Sequence, residues 1–349
     1  MRELTYISPG KLEWRERRAP VIEAPTDAIV RPLAATTCDL DQLIIQGRSP
    51  FAGPFAIGHE CLGEVVAVGE DVRLHRVGEV VVVHWHISCG HCYRCTSARP
   101  NSCASHQPGA MYGLPGMGDW GGTFSDLLRI VSADTALTPV PPGIDLAGVA
   151  SAADNLPFGY EFTVPHLAAA PGAEVLVMGG CGSIALYAVM FSVAAGASRV
   201  VYHDVDAGRL ALAERLGAEA RDGAVPRSAG SFPIVVDASA DAASLLCALR
   251  SVEPEGIVSS VGGHFKDEPM PLFEMYRRGV RFYTGRGRGG PNVAVALAWV
   301  KDGRVDPMAI VSDVAPFDDA PDVLATPSLK PVLVRPAIHA SPSEIECHA

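Results

Sequence analysis

The chain has 349 residues, enough for two domains that each bury a core. Hydrophobic residues make up 48% and charged ones 19%, an ordinary globular composition that excludes a disordered chain. The net charge of -11 argues against a nucleic-acid-binding surface, and Met1-Arg-Glu-Leu-Thr-Tyr6 lacks the apolar core of a signal peptide, so a soluble cytoplasmic protein is expected.

Residues 1–150 read as many short strands, among them Ala28-Ile-Val-Arg31, Gly63-Glu-Val-Val-Ala-Val-Gly69 and Glu79-Val-Val-Val-Val83. Cys89, Cys92, Cys95 and Cys103 follow as C-x2-C-x2-C-x7-C. Four thiolates this close can surround one zinc ion with no open position, which folds a loop and does no chemistry. The alternative is a disulfide cluster. Three cysteines two residues apart suit a metal turn better than two unstrained bridges, and the chain's nine cysteines are an odd number.

From about 155 to 295 strands alternate with helices, the pattern of an α/β doubly wound parallel sheet. Ala173–Gly179 reads as a buried strand, and Gly180-Cys181-Gly182-Ser183-Ile184-Ala185 fits G-x-G-x-x-A before a helix reaching about Ala195. In that context the Gly180–Ile184 loop turns tightly, and the N–H groups opening the helix face a dinucleotide pyrophosphate. The next strand ends at Asp204, whose carboxylate can accept the adenosine ribose hydroxyls and repel a 2′-phosphate, so NAD is expected over NADP. Arg209 lies one turn further on, within reach of ribose or phosphate. A capping role for Asp204 on a helix starting near Asp206 would leave the cofactor choice open. The charge-free stretch between Glu174 and Arg199 is long enough to cross a bilayer, but Gly179, Gly180, Gly182 and Gly196 break it, and no span is expected. Arg286 and Arg288 stand in a glycine-rich loop, either clamping an anion or simply solvated. A helix over Val293–Lys301, short strands and a loose polar tail from Ala340 complete the chain.

Two further motifs stand upstream. Gly58-His-Glu-Cys-Leu-Gly63 with Gly69 and Val72 fits G-H-E-x2-G-x5-G-x2-V, and Cys38 with Asp41 forms C-x2-D. Together with Gly121-Gly-Thr-Phe-Ser-Asp126, the cysteine lobe and the glycine loop, they make the chain resemble the zinc-dependent medium-chain alcohol dehydrogenases from about residue 20 to 335. The resemblance implies a strand-rich, barrel-like (GroES-like) catalytic domain over residues 1–154, a Rossmann domain over 155–295, and a return to the catalytic domain over 296–349. It implies one catalytic zinc held by Cys38, His59 and Asp154, with Glu60 able to swing in and Asp41 holding the His59 ring in its ligating tautomer. It implies one structural zinc on the four cysteines, hydride transfer between NAD(H) and a small-molecule alcohol or carbonyl substrate, and a homo-oligomer, dimer or tetramer. Taken singly, Cys38 would be a buried hydrophobe and Asp154 a helix cap.

The chain departs from the family at Leu40 and Leu43, where a hydroxyl and a histidine usually relay the alcohol's proton. Thr36, Thr37 or a water chain are the substitutes within the alcohol dehydrogenase reading. The alternatives are an imine or conjugated-alkene reductase, or a non-catalytic NAD-binding protein. By resemblance, Phe51, Trp85, His86, Tyr112, Met117 and Trp120 fall in substrate-lining regions, although Trp85 and Trp120 serve equally well as core residues.

Overall fold

The computed structural model describes residues 1–180 and 182–337. Cys181 and the tail from Ala340 lie outside the described residues. Contacts divide the chain into two units, one of Met1–Asp154, Arg288–Asp302 and Asp306–Ala349, the other of Asn155–Gly287 and Gly303–Val305.

The first unit is built on a seven-stranded sheet. Its order is Asp313–Pro316, Pro331–Val334, Ala28–Thr36, Glu60–Val68, Val80–Val83 and Leu137–Pro139, with Leu128–Ile130 also paired to Ala28–Thr36. All but one of these pairings are antiparallel. Val81, Val82 and Val83 are all fully buried, which is why the run is uniformly apolar rather than alternating. A smaller sheet pairs Lys11–Glu16, Arg2–Ser8 and Phe55–Ala56. The helix expected over Val293–Lys301 begins earlier, at Gly290, because Pro291 occupies its first turn, where a missing N–H costs nothing.

The second unit is a six-stranded parallel sheet. Its order is Glu219–Asp222, Val200–Asp204, Val175–Met178, Phe232–Asp237, Val252–Ser260 and Arg281–Thr284. This is the doubly wound order, with the topological switch between Val175–Met178 and Phe232–Asp237. One face carries Leu176, Met178, Val201, Val235 and Val258, packed with Leu245, Ala248 and Leu249 of the Ala242–Ser251 helix. Those helix positions recur three and four apart, so a single stripe is buried. Asp241 starts the helix by accepting the Ser244 N–H at 2.9 Å. Truncating a residue such as Leu176 to alanine would cost about 2–5 kcal/mol.

The charge-free stretch is explained here. Val175–Met178 is a fully buried strand, and nine residues of the Ile184–Ala194 helix are buried as well. No described helix is long and apolar enough to cross a membrane.

Candidate active site

Strand register assembles the first unit's candidate ligands. Thr36 pairs with Glu60 on one side and with Val332 on the other. Cys38, His59 and Lys330 each lie within two residues of those pairs, so three adjacent strand ends deliver them to one place. Cys38 caps the Asp39–Ile45 helix, and Asp41 reaches back to accept the Cys38 N–H at 3.0 Å. Asp154 closes the buried run Ser151-Ala-Ala-Asp154, just ahead of the Asn155–Glu161 helix.

The trio meets. One ligating atom each from Cys38, His59 and Asp154 lies within 4.8 Å of the others, and all three residues are buried. His59 Nε2 stands 3.4 Å from Asp154 Oδ2, while Nδ1 faces Asp41 Oδ2 at 3.5 Å. Burial, then Asp154 and Glu60, push the Cys38 thiol far above its ordinary value. Burial also raises the Asp41 carboxyl, against the pull of His59. On His59 burial opposes the charge, but Asp41 and then Asp154 outweigh it and lift the pKa to about 9. Several anionic groups confined out of water share one remedy, a bound cation.

Glu60 has a cationic partner of its own. Its Oε2 forms an ion pair with Lys330 Nζ, which also donates to the Thr37 carbonyl at 2.7 Å. Both side chains are almost wholly buried. Removing either charge would strand the other, and Glu60 also acts through its charge on Cys38 and His59.

The four cysteines also converge, their sulfurs lying within 4.8 Å of one another. Cys92 Sγ is 3.5 Å from Cys95 Sγ and 3.9 Å from Cys103 Sγ. A disulfide requires about 2.05 Å, whereas thiolates at ~2.3 Å around one zinc stand about 3.8 Å apart. Backbone N–H groups of Cys89, Cys92, Ala104 and Ser105 point at these sulfurs at 3.3–3.4 Å. The Ala104 and Cys95 N–H groups draw the Cys92 thiol down, while burial and the Cys92 sulfur push Cys95 up. Four thiolates together need a cation, and the donor set fits zinc.

In the second unit Gly180 carries a φ of +122°, the left-handed turn that a side chain disfavours, between the Val175–Met178 strand and the Ile184–Ala194 helix. Ala185 is fully buried, so a larger residue would push the helix off the sheet. Ser183 Oγ accepts from Asn155 Nδ2 at 2.8 Å. Asp204 ends the Val200–Asp204 strand, but the helix cap is Asp206, which accepts the Arg209 N–H at 2.8 Å. Arg209 binds Asp204 through two nitrogens, at 2.7 and 2.8 Å. Burial resists ionisation of Asp204, yet Arg209 and Tyr202 hold its pKa below the ordinary carboxylate value.

Residues 24–142 match the alcohol dehydrogenase GroES-like domain. The probable zinc-binding alcohol dehydrogenase of Mycobacterium tuberculosis is 30% identical over 334 residues, covering 93% of this chain and 85% of that protein. The chain belongs to the zinc-dependent medium-chain alcohol dehydrogenase family. A glutathione-independent formaldehyde dehydrogenase of Pseudomonas aeruginosa is also 30% identical, over 63% of this chain and 58% of its own length. The solved alcohol dehydrogenase of Thermus sp. ATN1 has a TM-score of 0.86 at 30% identity, covering 96% of this chain and 99% of that one.

Within this dehydrogenase, sequence reasoning missed Lys330 and Tyr202. Nothing in Ser-Leu-Lys-Pro-Val-Leu-Val334 announces a partner hundreds of residues upstream. Tyr202 was legible in principle, since strand alternation places it on the same face as Asp204. The substrate-lining expectations divide. Trp85, His86 and Tyr112 are fully buried, and Tyr112 donates its hydroxyl to the Arg129 carbonyl at 3.0 Å. Trp120 instead lines a cavity of about 380 Å³ with Glu3, Arg17 and Arg129, none of them a candidate metal ligand. Arg286 and Arg288 are exposed.

Proposed function

We propose that this oxidoreductase interconverts an alcohol and its carbonyl with NAD(H), using zinc held by Cys38, His59 and Asp154. The observation that carries the reading is the meeting of that sulfur, nitrogen and oxygen donor, three protein ligands that would hold zinc and would leave room for substrate. Bound there, zinc supplies Lewis acidity, and the nicotinamide supplies hydride chemistry. The remaining work falls to the chain. Asp41 orients the His59 ring through Nδ1, leaving Nε2 to face the ligand set. Lys330 neutralises Glu60 and keeps it in reserve beside the site.

Proton transfer is assigned to Thr37. Thr36 Oγ1 is committed as a donor to the Pro331 carbonyl at 2.7 Å. Thr37 Oγ1 accepts from Gln42 Nε2 at 2.8 Å and keeps its own proton to donate. The four cysteines hold a second, structural zinc, and Gly180–Ile184 with Asp204 bind NAD in preference to NADP. The catalytic domain comprises residues 1–154 and the returning C-terminal segment.

The test is a survey of alcohols with NAD and carbonyls with NADH, alongside metal analysis. Turnover with about two zinc ions per chain is the expected result. Two bound zincs and tight NADH binding without turnover of any alcohol or carbonyl would overturn it.

A further inference from the structure

We propose that Tyr202 is a positioning residue for the adenosine end of the cofactor, its hydroxyl fixing the Asp204 carboxylate that receives the ribose. The inference rests on the NAD reading above. Tyr202 is fully buried, and its hydroxyl donates to Asp204 Oδ2 at 2.5 Å. The two residues are two apart on one strand and share a face. Burial, then the Asp204 charge, raise the Tyr202 pKa well above its ordinary value, so the phenol stays a neutral donor.

The donors on Asp204 decide the argument. Oδ1 accepts the Val205 and Asp206 N–H groups at 2.7 and 3.0 Å, and Arg209 Nη2 at 2.8 Å. Oδ2 accepts the Tyr202 hydroxyl and Arg209 Nε at 2.7 Å. A carboxylate offers about four lone-pair sites, so these five donors already fill it. Ribose hydroxyls must share or displace a donor, and of the two donating side chains Arg209 is partly exposed while Tyr202 is fully buried. When Arg209 gives way, Oδ1 keeps two backbone donors, but Oδ2 keeps Tyr202 alone. Without that hydroxyl the carboxylate can swing about its own side-chain torsion.

Gly179 supplies an independent observation. A Cβ there would come within 2.3 Å of the Tyr202 hydroxyl oxygen and 2.5 Å of Asp204 Oδ2. The residue immediately before the cofactor turn gives up its side chain to make room for this tyrosine–aspartate pair. The loop is shaped around Tyr202.

Calorimetric titration of the full chain with NADH and with NADPH tests this, with thermal unfolding as a control for folding. Tyr202→Phe keeps the ring and removes only the hydroxyl. It is expected to weaken NADH binding roughly five- to twentyfold and NADPH binding at most about twofold, shrinking the preference between them. Gly179→Ala, which crowds the same two oxygens, is expected to shrink it in the same direction. In an Asp204→Ala background the Tyr202→Phe change is expected to be silent, since the tyrosine acts through that carboxylate. An unchanged NADH affinity, or an equal loss for both dinucleotides, would mean that Tyr202 only packs the strand, and would overturn the inference. A parent chain that binds neither dinucleotide overturns the NAD reading, and this inference with it.

Discussion

The two groups of candidate zinc ligands reach similar donor geometry by opposite routes. Cys89, Cys92, Cys95 and Cys103 come from one short segment, and two of the four are only partly buried. Closing that loop is enough to assemble them. Cys38, His59 and Asp154 come from three distant segments and are all buried; pairing of Ala28–Thr36 with Glu60–Val68 brings the first two together, and Asp154 arrives from just ahead of the Asn155–Glu161 helix. A local site can be lost locally. A site built by register is tied to the core, so a ligand can be changed without unfolding the sheet, while the buried Glu60–Lys330 ion pair beside it cannot be broken so cheaply.

The largest effect expected from that difference is on catalysis. His59→Ala should lower kcat/KM at least about a thousandfold, worth about 4 kcal/mol of transition-state stabilisation, and reduce zinc from about two ions per chain to one. Far-ultraviolet circular dichroism should stay at the parental signal. Retained activity with only one zinc would move the catalytic role away from the trio.

Next comes the buried charge beside it. Lys330→Met strands Glu60 and should cost about 3–5 kcal/mol in urea unfolding. Adding Glu60→Gln should restore most of that loss, because the orphaned charge is then gone. A small loss in the single variant would show that Glu60 has found another cation, the zinc itself.

A smaller effect is expected at the cysteine lobe. Cys103→Ser should release one zinc, open residues 89–103 to proteolysis, and lower the unfolding midpoint by roughly 4–8 °C if the lobe contributes about 2 kcal/mol. Activity should stay within about threefold of the parent, since the trio is built without these residues. Loss of both zincs from this one variant would show that the two sites fold as a single unit.

Legibility followed the same divide. The four-cysteine lobe could be read from spacing alone, because its ligands are neighbours in the chain. The parallel sheet was equally readable, since Val175–Met178 and Ile184–Ala194 are buried almost all round and leave an uninterrupted apolar record. Cys38, His59 and Asp154 were legible only through family motifs; no periodicity links segments so far apart. Lys330 was not legible at all, because its meaning lies in a strand pairing that sets Val332 opposite Thr36. The start of the Gly290–Lys301 helix was missed because Pro291 reads as a break when it in fact occupies the first turn. Asp204 was assigned without Arg209 locked onto it, since the pair forms across a strand end and a helix turn.

The smallest expected effect discriminates best between fold and chemistry, because one carboxylate touches both the helix start and the His59 ring. Asp41 caps its helix through the Cys38 N–H at 3.0 Å and faces His59 Nδ1 at 3.5 Å, both through Oδ2. Asp41→Asn keeps an oxygen to accept the cap and removes the charge that steadies the ring. Zinc affinity at the trio should fall about 10–100-fold, while the unfolding free energy changes by less than about 1 kcal/mol. Asp41→Ala removes the cap as well and should add about 1 kcal/mol of destabilisation. Competition with a zinc-binding dye, paired with urea unfolding on both variants, separates the two roles. Equal zinc affinity in Asp41→Asn and the parent would leave Asp41 as a helix cap and nothing more, and the ring of His59 would owe its orientation to Asp154 alone.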